Sequence, residues 1–188
     1  MQFTLFSRKQ LWLLLLLTLA LLSCSRSSAD SGDALSRLCA SDAAFTVVFP
    51  AANGMETYDV TCSGVKSGSR IELTVLTPAR SADVLLRLDP LANTCEIVSP
   101  GYDDPIPVDS AAARALLSLF AGLCGAEEPE AGEAVSAFRR SSDGEETLIR
   151  FPSSELVLDA GGLPARIVSP DASGRSRVVL IPEYTLVP

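Results

Sequence analysis

Glu56-Thr57-Tyr58-Asp59-Val60-Thr61-Cys62-Ser63 alternates without a break, with Tyr58, Val60 and Cys62 in one phase and Thr57, Asp59, Thr61 and Ser63 in the other. Successive side chains of a strand point to opposite faces, so one face of this stretch meets a core and the other meets water. That is the signature of an antiparallel sheet covered on one side. Upstream, Phe45, Val47 and Phe49 keep the same period, and Asn53-Gly54 marks the hairpin turn between the two runs. Downstream, Gly64 to Gly68 turns the chain, and Arg70 to Thr77 repeats the pattern with Ile71, Leu73 and Val75 before Pro78 stops it. Ala82 to Leu88 and Thr94 to Val98 read as two further strands, and Asp33 as the start of a short helix over Ala34 to Ser41.

The period then changes. After the proline-rich loop Gly101-Tyr102-Asp103-Asp104-Pro105-Ile106-Pro107, Asp109 is placed to cap a helix running from Ser110 to Cys124, with Gly125 ending it. Ala112, Leu116, Leu119, Phe120 and Leu123 recur at helical spacing, and Leu117 and Cys124 widen the stripe. A helix apolar nearly all round is a buried one, so it is expected on or inside the sheet. Beyond the acidic loop Glu127-Glu128-Pro129-Glu130, strands are expected over Ala134–Ser141, Glu146–Phe151, Glu155–Asp159, Ala165–Ser169 and Arg175–Ile181. The turns between them carry Asp143-Gly144, Gly161-Gly162 and Asp171-Ala172-Ser173-Gly174. The reading is one α+β domain. A curved antiparallel meander of about ten strands holds a buried central helix and a short N-terminal one.

The N-terminal residues give an address. Arg8-Lys9 precedes an apolar run from Leu11 to Leu22, about twelve residues and too short to span a bilayer, which needs roughly twenty. The run ends in Leu21-Leu22-Ser23-Cys24, which resembles the lipobox of bacterial lipoproteins: an aliphatic residue, a small residue before the cut, then the thiol that is lipidated. The organisation expected is a signal peptide over 1–23 cut between Ser23 and Cys24, a lipidated flexible tether over 24–33, and one folded domain over 34–188. Two or three acyl chains on Cys24, at about 0.8 kcal/mol per buried methylene, make a stable anchor on the extracytoplasmic face of the cell membrane. Because Ser25 rather than aspartate follows the cysteine, a cell with two membranes would sort such a protein to the outer one.

Composition excludes several classes of function. Arg8 and Lys9 lie in the signal region, leaving 13 basic against 23 acidic residues, a net charge of −10. Such a surface repels phosphate backbones, so no nucleic-acid partner is expected. There is no histidine, which removes serine–histidine and cysteine–histidine catalysis and most zinc and iron sites. Serine-lysine, nucleophile-elbow and phosphate-loop motifs are also missing. Neither an enzyme nor a cofactor is expected. Asp103-Asp104 and Glu127-Glu128-Glu130 lack calcium-loop spacing and read as solvated loops, so no metal is expected either. Arg87 and one of Arg139 and Arg140 are candidate contacts for lipid phosphates or a partner's carboxylates.

Cys39, Cys62, Cys95 and Cys124 remain beyond the lipidation site. An even number in an exported chain suggests bridges, with three connectivities open. Alternatively they are small buried hydrophobes, which the phase of Cys62 and Cys95 favours.

The element order, the strand-then-proline segment Ile71-Glu72-Leu73-Thr74-Val75-Leu76-Thr77-Pro78, and Gly162-Leu163-Pro164-Ala165-Arg166-Ile167 followed by Asp171 and Gly174 resemble the LolA/LolB lipoprotein-localisation superfamily. The resemblance spans residues 34–184. It implies an incomplete antiparallel barrel plugged by helices, with an apolar cavity for acyl chains. The exposed apolar membrane-inserting loop of the LolB branch has no counterpart here. Candidate ligand-binding residues are then Tyr58, Leu73 and Leu86 on the sheet and Leu116 and Phe120 on the central helix. Two functions of different class stay open: a carrier for a lipid or fatty acid, and a cell-envelope interaction module with a filled core.

Overall fold

The computed structural model describes residues 26–53, 56–99, 101, 104–130, 139–141, 144–170 and 176–187. Helix α1 (Arg26–Ala40) leads into β1 (Asp42–Asn53), β2 (Glu56–Ser67), β3 (Arg70–Thr77), β4 (Leu85–Asp89), β5 (Thr94–Val98) and the two-residue β6 (Ile106–Pro107). Helix α2 (Ala111–Ala121) follows, then β7 (Arg139–Ser141), β8 (Gly144–Arg150), β9 (Glu155–Leu158), β10 (Pro164–Pro170) and β11 (Ser176–Val187). The described strands form one antiparallel sheet in the order β6-β5-β4-β3-β2-β1-β11-β10-β9-β8-β7. Two meanders therefore meet where β1 pairs with β11, and β6 and β7 remain unjoined at the ends, leaving the barrel incomplete.

Alternation decides the inner face, as the sequence indicated. On β2 the inner phase is Tyr58, Val60, Cys62, Gly64 and Lys66, with Cys62 and Lys66 buried, while Thr57, Asp59, Ser63 and Val65 are exposed. Paired residues line up into rows across the concave face. One row runs Tyr184–Phe45–Gly64–Leu73–Leu86–Ile97 over six strands. Gly64 is required in that row because the Phe45 ring lies over it: a Cβ there would meet Phe45 Cε2 at 2.4 Å. Phe151 covers Gly122 in the same way, at 2.5 Å. With Phe45 and Phe151 buried, neither ring can give way without opening the core.

Several boundaries differ from the sequence reading. Helix α1 begins at Arg26, so residues 26–33, expected as flexible tether, belong to the helix, and Asp33 lies inside it rather than at its start. Serine and aspartate cost at most about 0.7 kcal/mol each relative to alanine, which lets a helix held at its packed end extend through them. That packed end is set by Leu38, fully buried, with Ala34 and Leu35 against the core. Helix α2 is capped by Ser110 rather than Asp109, its hydroxyl accepting from the Ala113 amide at 3.1 Å, and it stops at Ala121 instead of Cys124. It is not buried all round: Ala111, Ala112 and Ala115 are exposed, and Leu116 is half-buried. Alanine is apolar in the stripe yet small enough to face water at little cost, which is why the stripe looked complete.

Strand β4 starts at Leu85 rather than Ala82 because a 3₁₀ turn over Ala79–Ser81 follows Pro78. Of the strand expected over residues 134–141, only Arg139–Ser141 lies among the described residues. Strand β11 runs to Val187, well past the expected end at Ile181. Its partners explain the miss. Thr46 faces Glu183 and Val48 faces Leu180, so β11 carries one extra residue beside Pro182. Such a bulge shifts the inward positions from Val179 and Ile181 to Tyr184 and breaks the period of two.

Candidate functional site

The concave face is closed at one end and open at the other. At the closed end Ala43, Lys66, Ile71, Leu88 and Cys95 form a buried row, and Lys66 in it reaches the end of α1. Toward the β1–β2 hairpin the burial falls away. Val47, Cys62 and Val75 are still buried, but Phe49, Val60, Val84 and Leu86 are only partly covered. Beyond Val48 and Thr61 the hairpin has no neighbour on either flank among the described strands. These partly covered apolar residues form a lip, and Leu116 of α2 is likewise only partly covered.

The expected ligand residues divide between floor and lip. Leu73 and Phe120 are wholly buried floor residues. Phe120 sits over the aromatic row, its ring centroid 6.2 Å from that of Phe45 and 6.4 Å from Phe49, the latter edge-on. Tyr58, Leu86 and Leu116 are only partly buried, and Tyr58 lies on the protruding hairpin. The floor is thus filled by side chains, and the apolar surface left partly open is the lip. Cys62 belongs to the floor as well, where burial pushes its thiol up to about 11 and keeps it uncharged.

One residue of consequence was not singled out as a site. Lys66 is 0% exposed, and its Nζ donates to the carbonyls of Cys39 and Ser41, both at 2.8 Å. These are carbonyls at the C-terminus of α1, left without intrahelical donors and carrying the negative end of the helix dipole. Lys66 therefore fastens α1 across the closed end of the half-barrel. The signal was present: extending the phase Tyr58, Val60, Cys62, Gly64 by two residues puts Lys66 on the inner face.

The four cysteines are all unbridged: Cys62, Cys95 and Cys124 are buried and Cys39 is partly so. Arg87 is committed to Glu72 at 2.9 Å on the exposed face, and Ser153 holds Glu127 through its hydroxyl at 2.8 Å. Among the described residues no group of acidic and cysteine side chains has the arrangement of a metal site. Likewise, no described helix is long and apolar enough to cross a membrane. Cys24, Ser23 and the rest of the expected signal region lie outside the described residues, as do Asp103 and the turn over 171–175.

No family model and no curated relative matches the chain. Solved structures do resemble it. A conserved protein of uncharacterised role from Thermus thermophilus shares 10% identity over 86% of this chain and 88% of its own, with a TM-score of 0.50. A LolA superfamily protein from Nitrosomonas europaea shares 12% identity over 87% of this chain and 95% of its own, at 0.48. A chain of the MucA/MucB complex of Pseudomonas aeruginosa shares 13% identity over 86% of this chain and 57% of its own, at 0.41. The architecture is an open antiparallel half-barrel with helices on its concave side.

Proposed function

We propose that this chain is a lipid-anchored, extracytoplasmic lipoprotein that binds an acyl chain or lipid-like ligand at the open end of its half-barrel, without catalysis. The observation that carries the reading is the set of apolar residues left partly covered, Phe49, Val60, Val84 and Leu86 on the sheet and Leu116 on α2. Six methylenes laid against it would contribute about 5 kcal/mol at about 0.8 kcal/mol each, the equivalent of a sub-millimolar complex. The anchor rests on Leu21-Leu22-Ser23-Cys24 behind a short apolar run. Replacing Cys24 by alanine is expected to abolish incorporation of labelled palmitate and to leave the precursor uncut. A mutant labelled like the wild type would refute the anchor.

The ligand is tested on the chain from residue 26 onward, which contains every described element. An environment-sensitive dye should brighten on binding and be displaced by fatty acid. Leu116→Ser should weaken displacement by about tenfold, the equivalent of 1.4 kcal/mol. A second reading, a non-enzymatic envelope interaction module, is favoured by the filled floor of Phe45, Leu73 and Phe120. It would stand alone if the folded chain neither took up dye nor responded to fatty acid.

A further inference from the structure

Of the four cysteines, two are brought to one corner. Cys39 closes the last turn of α1, and Cys124 follows the end of α2. The Cys39 thiol donates to the carbonyl of Gly122 at 3.5 Å, and its Cβ and Sγ each lie 3.8 Å from where a Cβ on residue 125 would stand. Residue 124 is thus flanked on both sides in sequence by contacts with Cys39. A disulfide needs two Cβ atoms about 3.8 Å apart, and Cys39 packs this closely on the position next to Cys124 in the same turn. The other two thiols lie apart from this corner. Cys62 faces Val47 on β1 and Val75 on β3, and Cys95 faces Leu88 on β4, both as core side chains.

We infer that Cys39 and Cys124 form a disulfide that locks α1 onto the end of α2, while Cys62 and Cys95 remain thiols. The pairing selects one bridge from the connectivities left open by the sequence. It rests on the proposed export only for its setting, since an oxidising compartment is where such a bond persists. The chemistry is thiol–disulfide exchange. The Cys39 thiolate attacks the disulfide of an oxidoreductase or of oxidised glutathione and expels one thiolate. Cys124 then attacks Cys39 Sγ in the mixed disulfide, loses its proton and releases the second thiolate. The two protein thiols are oxidised and the donor disulfide is reduced to two thiols. Cys39 is the entry point because it is the more exposed of the two. Burial raises its pKa, but the Lys66 ammonium, bonded to the carbonyl of the same residue, opposes that rise. Cys124, more deeply buried, is pushed up to about 12, so its attack is the slow step of the exchange.

The test is peptide mapping of the full-length protein taken from the cell envelope and alkylated while denatured. Trypsin combined with an aspartate-cutting protease places Cys39 and Cys62 in separate peptides. The expected result is a linked Cys39–Cys124 pair with Cys62 and Cys95 alkylated. The same map is made on the purified full chain after equilibration in a glutathione redox buffer, which does not depend on export. A bridge in the buffer but free thiols in cells would uphold the pairing and overturn the export reading. Free Cys39 and Cys124 under both conditions, or a bridge to Cys62 or Cys95, would overturn the pairing. As a second readout, reductant should lower the melting temperature of the bridged protein by about 10 °C, given the long loop it closes.

Discussion

Replacing Phe120 by alanine is expected to destabilise the domain by about 4 kcal/mol, since removing a buried aromatic costs roughly 3–5 kcal/mol in lost transfer energy and cavity formation. Phe120 has no exposed surface and bridges the two rings of β1, Phe45 and Phe49, under α2. The rings cannot collapse into the space, because Phe45 is stacked on Tyr184 at 5.7 Å on one side and rests on Gly64 on the other. In a domain of this size the melting temperature should fall by roughly 8–16 °C. Leu116→Ala, on the same helix but only partly buried, should cost less, about 1 kcal/mol. Urea denaturation of both variants checks the contrast. Equal losses would mean that the helix does not present Phe120 inward and Leu116 to the lip.

Lys66→Ala is expected to cost about 3 kcal/mol. The substitution removes two charge-assisted hydrogen bonds and leaves the carbonyls of Cys39 and Ser41 without their donor at a buried helix end. It also removes the cation placed against the α1 dipole there, a contribution of up to about 2 kcal/mol in a buried geometry. The loss should appear first as detachment of α1. Amide exchange in Ala34–Ala40 would rise more steeply than in β2 or β3, because α1 is held to the sheet by few other groups than Leu38 and its neighbours. A variant with wild-type melting and wild-type exchange in α1 would contradict the fastening role.

The parts of the fold governed by period were readable in the sequence. On β2 and β3 the inner residues Tyr58, Val60, Cys62, Ile71, Leu73 and Val75 were assigned to the face where they lie, because each strand is half-buried and one face must be apolar. What depended on a partner was not readable. The bulge beside Pro182 exists only relative to β1, so alternation past Ile181 looked like the end of a strand. Gly64 looked like the start of a turn, whereas it continues the inner phase of β2 and leaves room for Phe45. The charge of Lys66 argued for water, and only the helix end above it explains a buried ammonium. Of the candidate ligand residues, Leu73 and Phe120 are buried whereas Tyr58, Leu86 and Leu116 are only partly so, a difference that periodicity alone does not carry.

The central claim is that this lip holds an acyl chain, and native mass spectrometry of the chain from residue 26 onward tests it most directly. Expressed with export and purified without detergent, the protein should carry a non-covalent adduct of fatty-acid or lipid mass, or acquire one when fatty acid is added. Leu116→Asp should prevent the adduct by placing a carboxylate in the lip, while leaving the circular dichroism of the sheet unchanged. A folded wild-type chain that appears only at its bare mass, even with fatty acid in excess, would contradict the account.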